Sequence, residues 1–119
     1  MKYTESHEWV ELQNDVATVG VTNFAQKELG EIVYVELPIV GKHVKAGEEA
    51  AVLESTKAAA DVYSPLSGTI IEVNKLLNES SELINQSPES NGWLFKLQIS
   101  DNKEYDNLMD SKAYLAKFK

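Results

Sequence analysis

The segment AAVLESTKAAADVYSPLSG, residues 50–68, places a single lysine, Lys57, between two runs of strand-forming residues. The small residues Thr56 and Ala58 flank this lysine. Two strand-forming runs joined by a short connection are typical of a β-hairpin. The segment therefore predicts a hairpin with an exposed lysine at its tip. Exposed hairpin lysines are common, so position alone does not give Lys57 a function.

Other short runs rich in β-branched residues alternate with turn-forming residues along the chain. These runs cover residues 16–21, 32–37, 51–53, 69–73 and 93–99. Proline, glycine and asparagine lie between them, at points where the chain has to turn. The pattern predicts an all-β fold with small helices, either an antiparallel sandwich or a barrel.

One short helix is predicted after the first of these runs. Asn23 is expected to cap it, with Gln26 completing a capping box and Gly30 ending the helix in a left-handed conformation.

A C-terminal helical segment is predicted over about residues 101–119. Asp101 and Glu104 form a second possible capping box at its start. We expect Leu108, Leu115 and Phe118 to lie near one face of this segment. Both helical regions are expected to cover edges or faces of the sheets.

Length and composition limit the functions that are open to this chain. Its 119 residues suit a single domain over residues 1–119, and a hydrophobic fraction of 43% indicates a folded protein. The absence of cysteine excludes disulfides, thiolate nucleophiles and cysteine metal sites. A net charge of -8 without a basic patch makes nucleic acid and anionic membranes poor partners.

The longest apolar runs span only a few residues, and the N-terminus has neither a signal-peptide pattern nor an Arg-rich transit pattern. We therefore expect a soluble, cytoplasmic protein, as in a bacterium. A mitochondrial matrix protein is expected only if a transit peptide has been removed.

Ten short motifs lie in order along nearly the whole chain. They are SHEWV (6–10), GVT (20–22), FAQ (24–26), LGEIVYVELP (29–38), ESTKAA (54–59), SPLSG (64–68), EVN (72–74), LIN (83–85), SP (87–88) and GWL (92–94). In these motifs and their spacing the chain resembles the glycine cleavage H proteins, a family of lipoyl carriers. The resemblance implies a lipoyl/biotinyl-type barrel-sandwich hybrid with a C-terminal helical segment. It also implies a carrier subunit of a multienzyme system, without enzymatic activity of its own.

The resemblance identifies Lys57 as the residue that carries (R)-lipoate, through an amide that removes the lysine charge. It also assigns Glu54, three residues earlier, to recognition by the lipoate-attaching enzyme. The plainer interpretation of Glu54 is a solvated carboxylate at the end of a strand.

Three further residues match positions that hold the loaded arm in the family, namely Ser6, Glu8 and Asp61. Two carboxylates and a hydroxyl suit an ammonium group, which has three donors. Their plainer interpretations are a turn residue, a surface charge before a strand and a strand-end residue. Glu28 departs from the family, in which a histidine is frequent near this position, and it predicts a more acidic cleft or a different mode of holding the arm.

The resemblance implies three successive partners. A pyridoxal-phosphate-dependent glycine decarboxylase (P protein) would load the arm with the aminomethyl group of glycine. An aminomethyltransferase (T protein) would take that group, and dihydrolipoyl dehydrogenase (L protein) would accept the electrons. Exposed acidic residues, including Glu31 and Glu36, are candidates for contacting these proteins. The alternative function is an H-like lipoate relay, or a redox-linked lipoyl carrier outside glycine breakdown, and it would use the same lysine.

Other carrier classes match the sequence less well. Biotin carriers place methionine on both sides of the lysine, whereas Thr56 and Ala58 stand there in this chain. Lipoyl domains of the 2-oxo acid dehydrogenases are usually smaller and lack both the opening motif at residues 6–9 and the C-terminal helical segment.

A hydrolase built on Ser6, His7 and Asp61 is a third class to consider. Adjacent residues on an extended chain point to opposite faces, which disfavours a Ser6–His7 pair. We expect His7 to be packed or hydrogen-bonded and His43 to lie in an exposed loop. No metal site is predicted, because the two histidines are far apart in sequence. Both tryptophans, Trp9 and Trp93, are expected to pack in the core.

Overall fold

The computed structural model of the protein describes residues 1–118, and in that range nine strands form two antiparallel sheets. The six-stranded sheet has the order β1-β2-β3-β9-β8-β5, and the three-stranded sheet has the order β4-β6-β7. The strands are β1 (Lys2–Tyr3), β2 (Glu8–Gln13), β3 (Val16–Val21), β4 (Ile32–Glu36), β5 (His43–Val44), β6 (Glu49–Ser55), β7 (Ala59–Tyr63), β8 (Gly68–Val73) and β9 (Phe95–Ile99).

Short helices connect and cover the strands. They are α1 (Asn23–Leu29), α2 (Leu83–Gln86), α3 (Asn102–Asp106) and α4 (Ser111–Lys117), together with one 3-10 turn (Lys75–Asn78). The predicted all-β fold with small helices is confirmed. None of the helices in residues 1–118 has the length and apolar character needed to cross a membrane.

The capping of α1 differs from the prediction by one residue. Thr22 caps the helix, because its backbone is still extended and its hydroxyl accepts a hydrogen bond from the Ala25 amide at 3.2 Å. Asn23 is already helical, and its side-chain oxygen instead accepts from the Gln26 side chain at 2.8 Å. Gly30 ends the helix with a positive φ of 85°, as expected, but its ψ of -157° lies outside the left-handed helical region.

The predicted C-terminal helical segment consists of two helices. Asp101 caps α3 by accepting from the Lys103 amide at 2.9 Å. Glu104 does not complete a capping box, because its carboxylate accepts from the backbone amide and the hydroxyl of Ser67, both at 2.8 Å. A second cap, Asp110, accepts from the Ala113 amide at 2.8 Å and begins α4. Position 119 of the predicted segment lies outside the described residues.

The predicted apolar face of this segment is partly wrong. Leu108 packs against the main core and Phe118 packs against a smaller aromatic cluster. Leu115, however, is 60% exposed. The break between α3 and α4 explains this result, since a single helical phase does not continue across it.

The main core takes buried side chains from both sheets, including Val19, Leu53, Ile70 and Leu97. A second, smaller cluster joins the N-terminus to α4. It contains Tyr3, Trp9 and Tyr114, with Trp93, Met109 and Phe118 packed against it. The expected core packing is confirmed for Trp9, whose indole N–H donates to the Pro88 carbonyl at 2.9 Å, whereas Trp93 is half-buried against the smaller cluster.

Leu97→Ala and Leu115→Ala should have very different effects on stability. Leu97 is 0% exposed in the core, and such truncations cost about 2–5 kcal/mol through lost burial and a residual cavity. The change at exposed Leu115 should stay within about 0.5 kcal/mol. Urea unfolding of both variants measures the two free energies. Equal losses would contradict the placement of α4.

Candidate functional site

Lys57 lies at the tip of the hairpin formed by β6 and β7. The side chain of Ser55 organises this tip, because its oxygen accepts from the amides of Lys57 and Ala58, both at 3.1 Å, and donates to the Ala58 carbonyl at 3.1 Å. The residues from Thr56 to Ala58 are exposed. The hairpin therefore presents one amine to solvent on a locally ordered turn.

Beside the hairpin is a cavity of about 180 Å³. Its polar rim contains the side chains Ser6, His7, Glu8, Glu28 and Asp61, and its apolar wall contains Val21, Ala25, Leu29, Leu53, Ala60 and Val62. The structure thus brings Ser6, Glu8 and Asp61 together, as the resemblance implies. Lys57 and Glu54 lie on the same hairpin but outside the lining of this cavity.

Glu8 is the most firmly held member of the rim. It is only 1% exposed. One carboxylate oxygen accepts from the hydroxyls of Thr4 and Ser6, both at 2.5 Å, and the other accepts from the Tyr63 amide at 3.1 Å. Burial raises the pKa of the Glu8 carboxyl, while these hydrogen bonds act in the opposite direction.

The plainer interpretation of Glu8, a surface charge before a strand, is wrong. Glu8 is the first residue of β2, and it ties the loop before that strand to β7. Asp61 lies inside β7 and is exposed, so the interpretation as a strand-end residue is also wrong. Ser6 lies in an exposed turn, and it donates to Glu8.

His7 is held by aromatic packing and by one hydrogen bond. Its ring lies 4.5 Å from the rings of both Phe24 and Phe118, and its Nδ1 is 2.7 Å from the Tyr114 hydroxyl. Burial lowers the pKa of the His7 imidazole, and the nearby Glu28 carboxylate opposes that shift. The expectation of a packed, hydrogen-bonded histidine is confirmed.

The geometry disfavours the hydrolase. The Ser6 hydroxyl is bonded to Glu8 and the His7 ring is bonded to Tyr114, so these two side chains do not form a nucleophile–base pair. His43 is exposed, but it lies in β5 and not in a loop. Among residues 1–118, no group of three or more histidine, aspartate and glutamate side chains could hold a metal ion.

The remaining predicted site residues lie on exposed surface. Glu54 is exposed near the end of β6, where it pairs with Ala59 of β7. Glu31 and Glu36 are exposed on the turn before β4 and at the end of that strand. Sequence reasoning did not assign Tyr63 to the site. Its contribution is a backbone amide, which no side-chain pattern reveals.

A lysine at the tip of a hairpin, beside an apolar cleft with a carboxylate rim, suits a carrier domain whose prosthetic group is attached to an exposed lysine. Comparison with known proteins identifies the kind of carrier. The glycine cleavage H-protein family matches residues 1–119. A glycine cleavage system H protein from Thermotoga maritima is 59% identical over 95% of this chain and 91% of its own length. A probable glycine cleavage system H protein 1 from Sulfolobus acidocaldarius is 51% identical over 98% of this chain and 85% of its own length.

Structural comparison agrees with the sequence matches. The crystal structure of a glycine cleavage system H protein from Mycobacterium marinum superposes with a TM-score of 0.87 at 33% identity, and covers 98% of this chain and 94% of that one. The chain belongs to the glycine cleavage H-protein family. The resemblance drawn from the ten motifs and the expected lipoyl-type barrel-sandwich fold are both confirmed.

The buried Glu8 carboxyl should give the protein a specific dependence of stability on pH. Because the pKa of Glu8 is raised in the folded state, its protonated form favours folding. This contribution is complete below the ordinary pKa of glutamate and is lost as pH rises through the raised value. The unfolding free energy of the wild type minus that of Glu8→Gln should therefore fall with rising pH. Urea titrations between about pH 4 and about pH 8 measure this difference in unfolding free energy. A difference that stays flat or rises with pH would contradict the raised pKa of Glu8.

Proposed function

We propose that this protein is the lipoyl carrier of the glycine cleavage system, with (R)-lipoate joined by an amide to Lys57. The observation that carries the proposal is the position of Lys57, exposed at an ordered hairpin tip and next to a cleft that combines apolar walls with carboxylates. Family membership supports the same assignment. The protein serves as a carrier subunit and leaves catalysis to its partners.

The side chains around the cleft suit a lipoyl arm. Its apolar wall, with Leu29, Leu53 and Val62, matches a hydrocarbon chain, and its carboxylates match a cationic amine. When attached, lipoate supplies a dithiolane that accepts the aminomethyl group of glycine on one sulfur and leaves the other sulfur as a thiol. The protein contributes position, partner recognition and protection from water.

Each polar residue of the rim has a distinct task in this proposal. Glu8 uses three acceptor positions on protein donors, so with Ser6 it forms a fixed negative wall. Asp61 is exposed and lies on the strand that follows Lys57, and it serves as the main acceptor for the amine. Glu28 adds a further carboxylate to the rim and makes the cleft more acidic.

The proposed partners are the P, T and L proteins and the lipoate-attaching enzyme, which recognises Glu54. The net charge of -8 favours encounters with basic faces on these proteins, and Glu31 and Glu36 are exposed for such contacts. Relatives from bacteria and archaea support a cytoplasmic location. No specific observation favours the lipoate relay, which becomes one outcome of the experiment below.

Lipoylation should require Lys57 alone. Co-expression with a lipoate ligase and lipoate should add the mass of one lipoyl group to the wild type and to Lys45→Arg, a control at another exposed lysine, but not to Lys57→Arg. The glycine decarboxylase, pyridoxal phosphate and labelled glycine should then place label on the lipoylated proteins. Intact mass and label counting give the two readouts. Lipoylation without label would favour the relay, and an unmodified wild type would refute the proposal.

The aminomethyl group on a lipoyl sulfur is labile and loses ammonia in water, so in this proposal the cleft shelters it. Asp61→Asn should weaken this protection without preventing lipoylation. Loss of a charge-assisted hydrogen bond costs about 1.5–3 kcal/mol, so release of ammonia from the loaded protein should accelerate about tenfold or more. Asp15→Asn, an exposed change in the turn between β2 and β3, is the matched control. Ammonia release at the wild-type rate in Asp61→Asn would remove this residue from the site.

A further inference from the structure

We infer that Asn85 is a positioning residue for the lipoyl arm, an assignment that rests on the proposed attachment at Lys57. Asn85 holds the turn between α1 and β4, residues 30–32, against which the hairpin tip lies. It lies on α2, away from the rim of the cleft, and acts on the arm only through this turn.

The side chain of Lys57 lies over Gly30. A methyl group built at Gly30 would come within 3.1 Å of Lys57 Cε and 3.6 Å of its Nζ. Gly30 also has a φ of 85°, a conformation that other residues rarely adopt. This glycine therefore provides a surface without a side chain, and the stem of the lysine runs across that surface.

The backbone of the hairpin tip is bonded to the same turn. The Thr56 amide donates to the Glu31 carbonyl at 3.0 Å, and Ser55 is the register partner of Ile32 across β6 and β4. The position of the 30–32 turn thus determines where both the backbone and the side chain of the attachment site lie.

The side-chain amide of Asn85 makes three hydrogen bonds, two to the 30–32 turn and one to α1. Asn85 Nδ2 donates to the Gly30 carbonyl at 2.8 Å and to the Gln26 side-chain oxygen at 3.0 Å, and Asn85 Oδ1 accepts from the Ile32 amide at 2.9 Å. A side chain of α2 therefore joins the last turn of α1 to the first residue of β4. Such a half-buried, nearly saturated amide restricts the turn to one arrangement.

The same end of α1 supplies part of the cleft. Glu28 and Leu29 line the cavity, and Gly30 follows them directly. The surface beneath the lysine stem and one wall of the cleft are therefore parts of one continuous segment. Asn85 fixes the direction in which the arm leaves the hairpin relative to this wall, and the docked arm depends on that direction.

Asn85→Asp tests this role while keeping the size of the side chain. The change keeps an acceptor for Ile32 but places a carboxylate oxygen against the Gly30 carbonyl and the Gln26 side-chain oxygen. Asn74→Asp is the matched control, because Asn74 Nδ2 also donates to two carbonyls, those of Asn91 and Trp93, both at 2.9 Å. Neither Asn74 nor its two partners lines the cleft.

The first readout uses the unmodified protein. In Asn85→Asp, native-state hydrogen exchange of the Thr56 amide should be about tenfold faster than in the wild type. The same amide in Asn74→Asp should exchange at the wild-type rate. Unfolding free energies measured for both variants separate local opening at Thr56 from a general loss of stability. Should Asn85→Asp fail to fold, Asn85→Ala removes the same bonds without adding a charge.

The second readout uses the lipoylated, glycine-loaded protein. Both variants should be lipoylated to the same extent, and ammonia release should accelerate several-fold in Asn85→Asp only. Wild-type exchange at Thr56 in Asn85→Asp, or faster exchange with wild-type ammonia release, would overturn the positioning role. A wild type that is lipoylated but takes no label from glycine would refute the proposed function instead, and exchange at Thr56 would still report whether Asn85 holds the tip.

Discussion

The buried carboxylate of Glu8 is the constraint around which the cleft is built. A carboxylate that is 1% exposed is costly unless donors surround it. Here two hydroxyls come from the loop before β2 and one amide comes from β7. That loop is therefore held against the strand that follows Lys57. The Tyr63 amide is the one donor to Glu8 Oε2, so losing it would leave a buried acceptor unsatisfied, which costs more than a typical hydrogen bond contributes, whereas Oε1 would keep one of its two hydroxyls.

A second set of contacts meets the cleft at His7, which is on its rim. The Tyr114 hydroxyl lies 2.7 Å from both His7 Nδ1 and Thr22 Oγ1, so α4 is joined to the loop before β2 and to the cap of α1. Thr22 serves two purposes, because it also accepts from the Ala25 amide at the start of the helix. The exposed Lys117–Glu5 ion pair lies near these contacts and adds little by comparison. The Tyr114 hydroxyl, and not surface charge, is what joins α4 to the site.

The sequence predicted the parts of this structure that depend on local pattern. Runs of strand-forming residues marked most of the longer strands and placed Lys57 at a hairpin tip, and the family resemblance assigned Asp61 to the site beside it. Strands β1 and β5 contain two residues each, which is too short for any periodicity. Strand β2 was not among the predicted runs, and the burial of the glutamate that begins it depends on partners distant in sequence. The cap of α1 was misplaced by one residue because threonine and asparagine are both good caps, and only the backbone conformation separates them.

A carrier has two opposing needs, since its arm must be sheltered when loaded and free when a partner arrives. The structure separates these needs in space: the lysine is exposed at the hairpin tip, and the carboxylates lie on the rim of the cleft, with Asp61 further along the same hairpin. Each 1.4 kcal/mol of preference for the docked state changes the ratio of docked to free arm about tenfold. Docking in the proposed carrier therefore has to be weak, so that enough free arm is present for a partner. Glu8 already uses much of its acceptor capacity within the protein, which limits how tightly it can hold a cation. In the proposed carrier, a nearly saturated Glu8 beside an exposed Asp61 favours reversible docking, and the turn at Gly30, held by Asn85, gives that weak docking its direction.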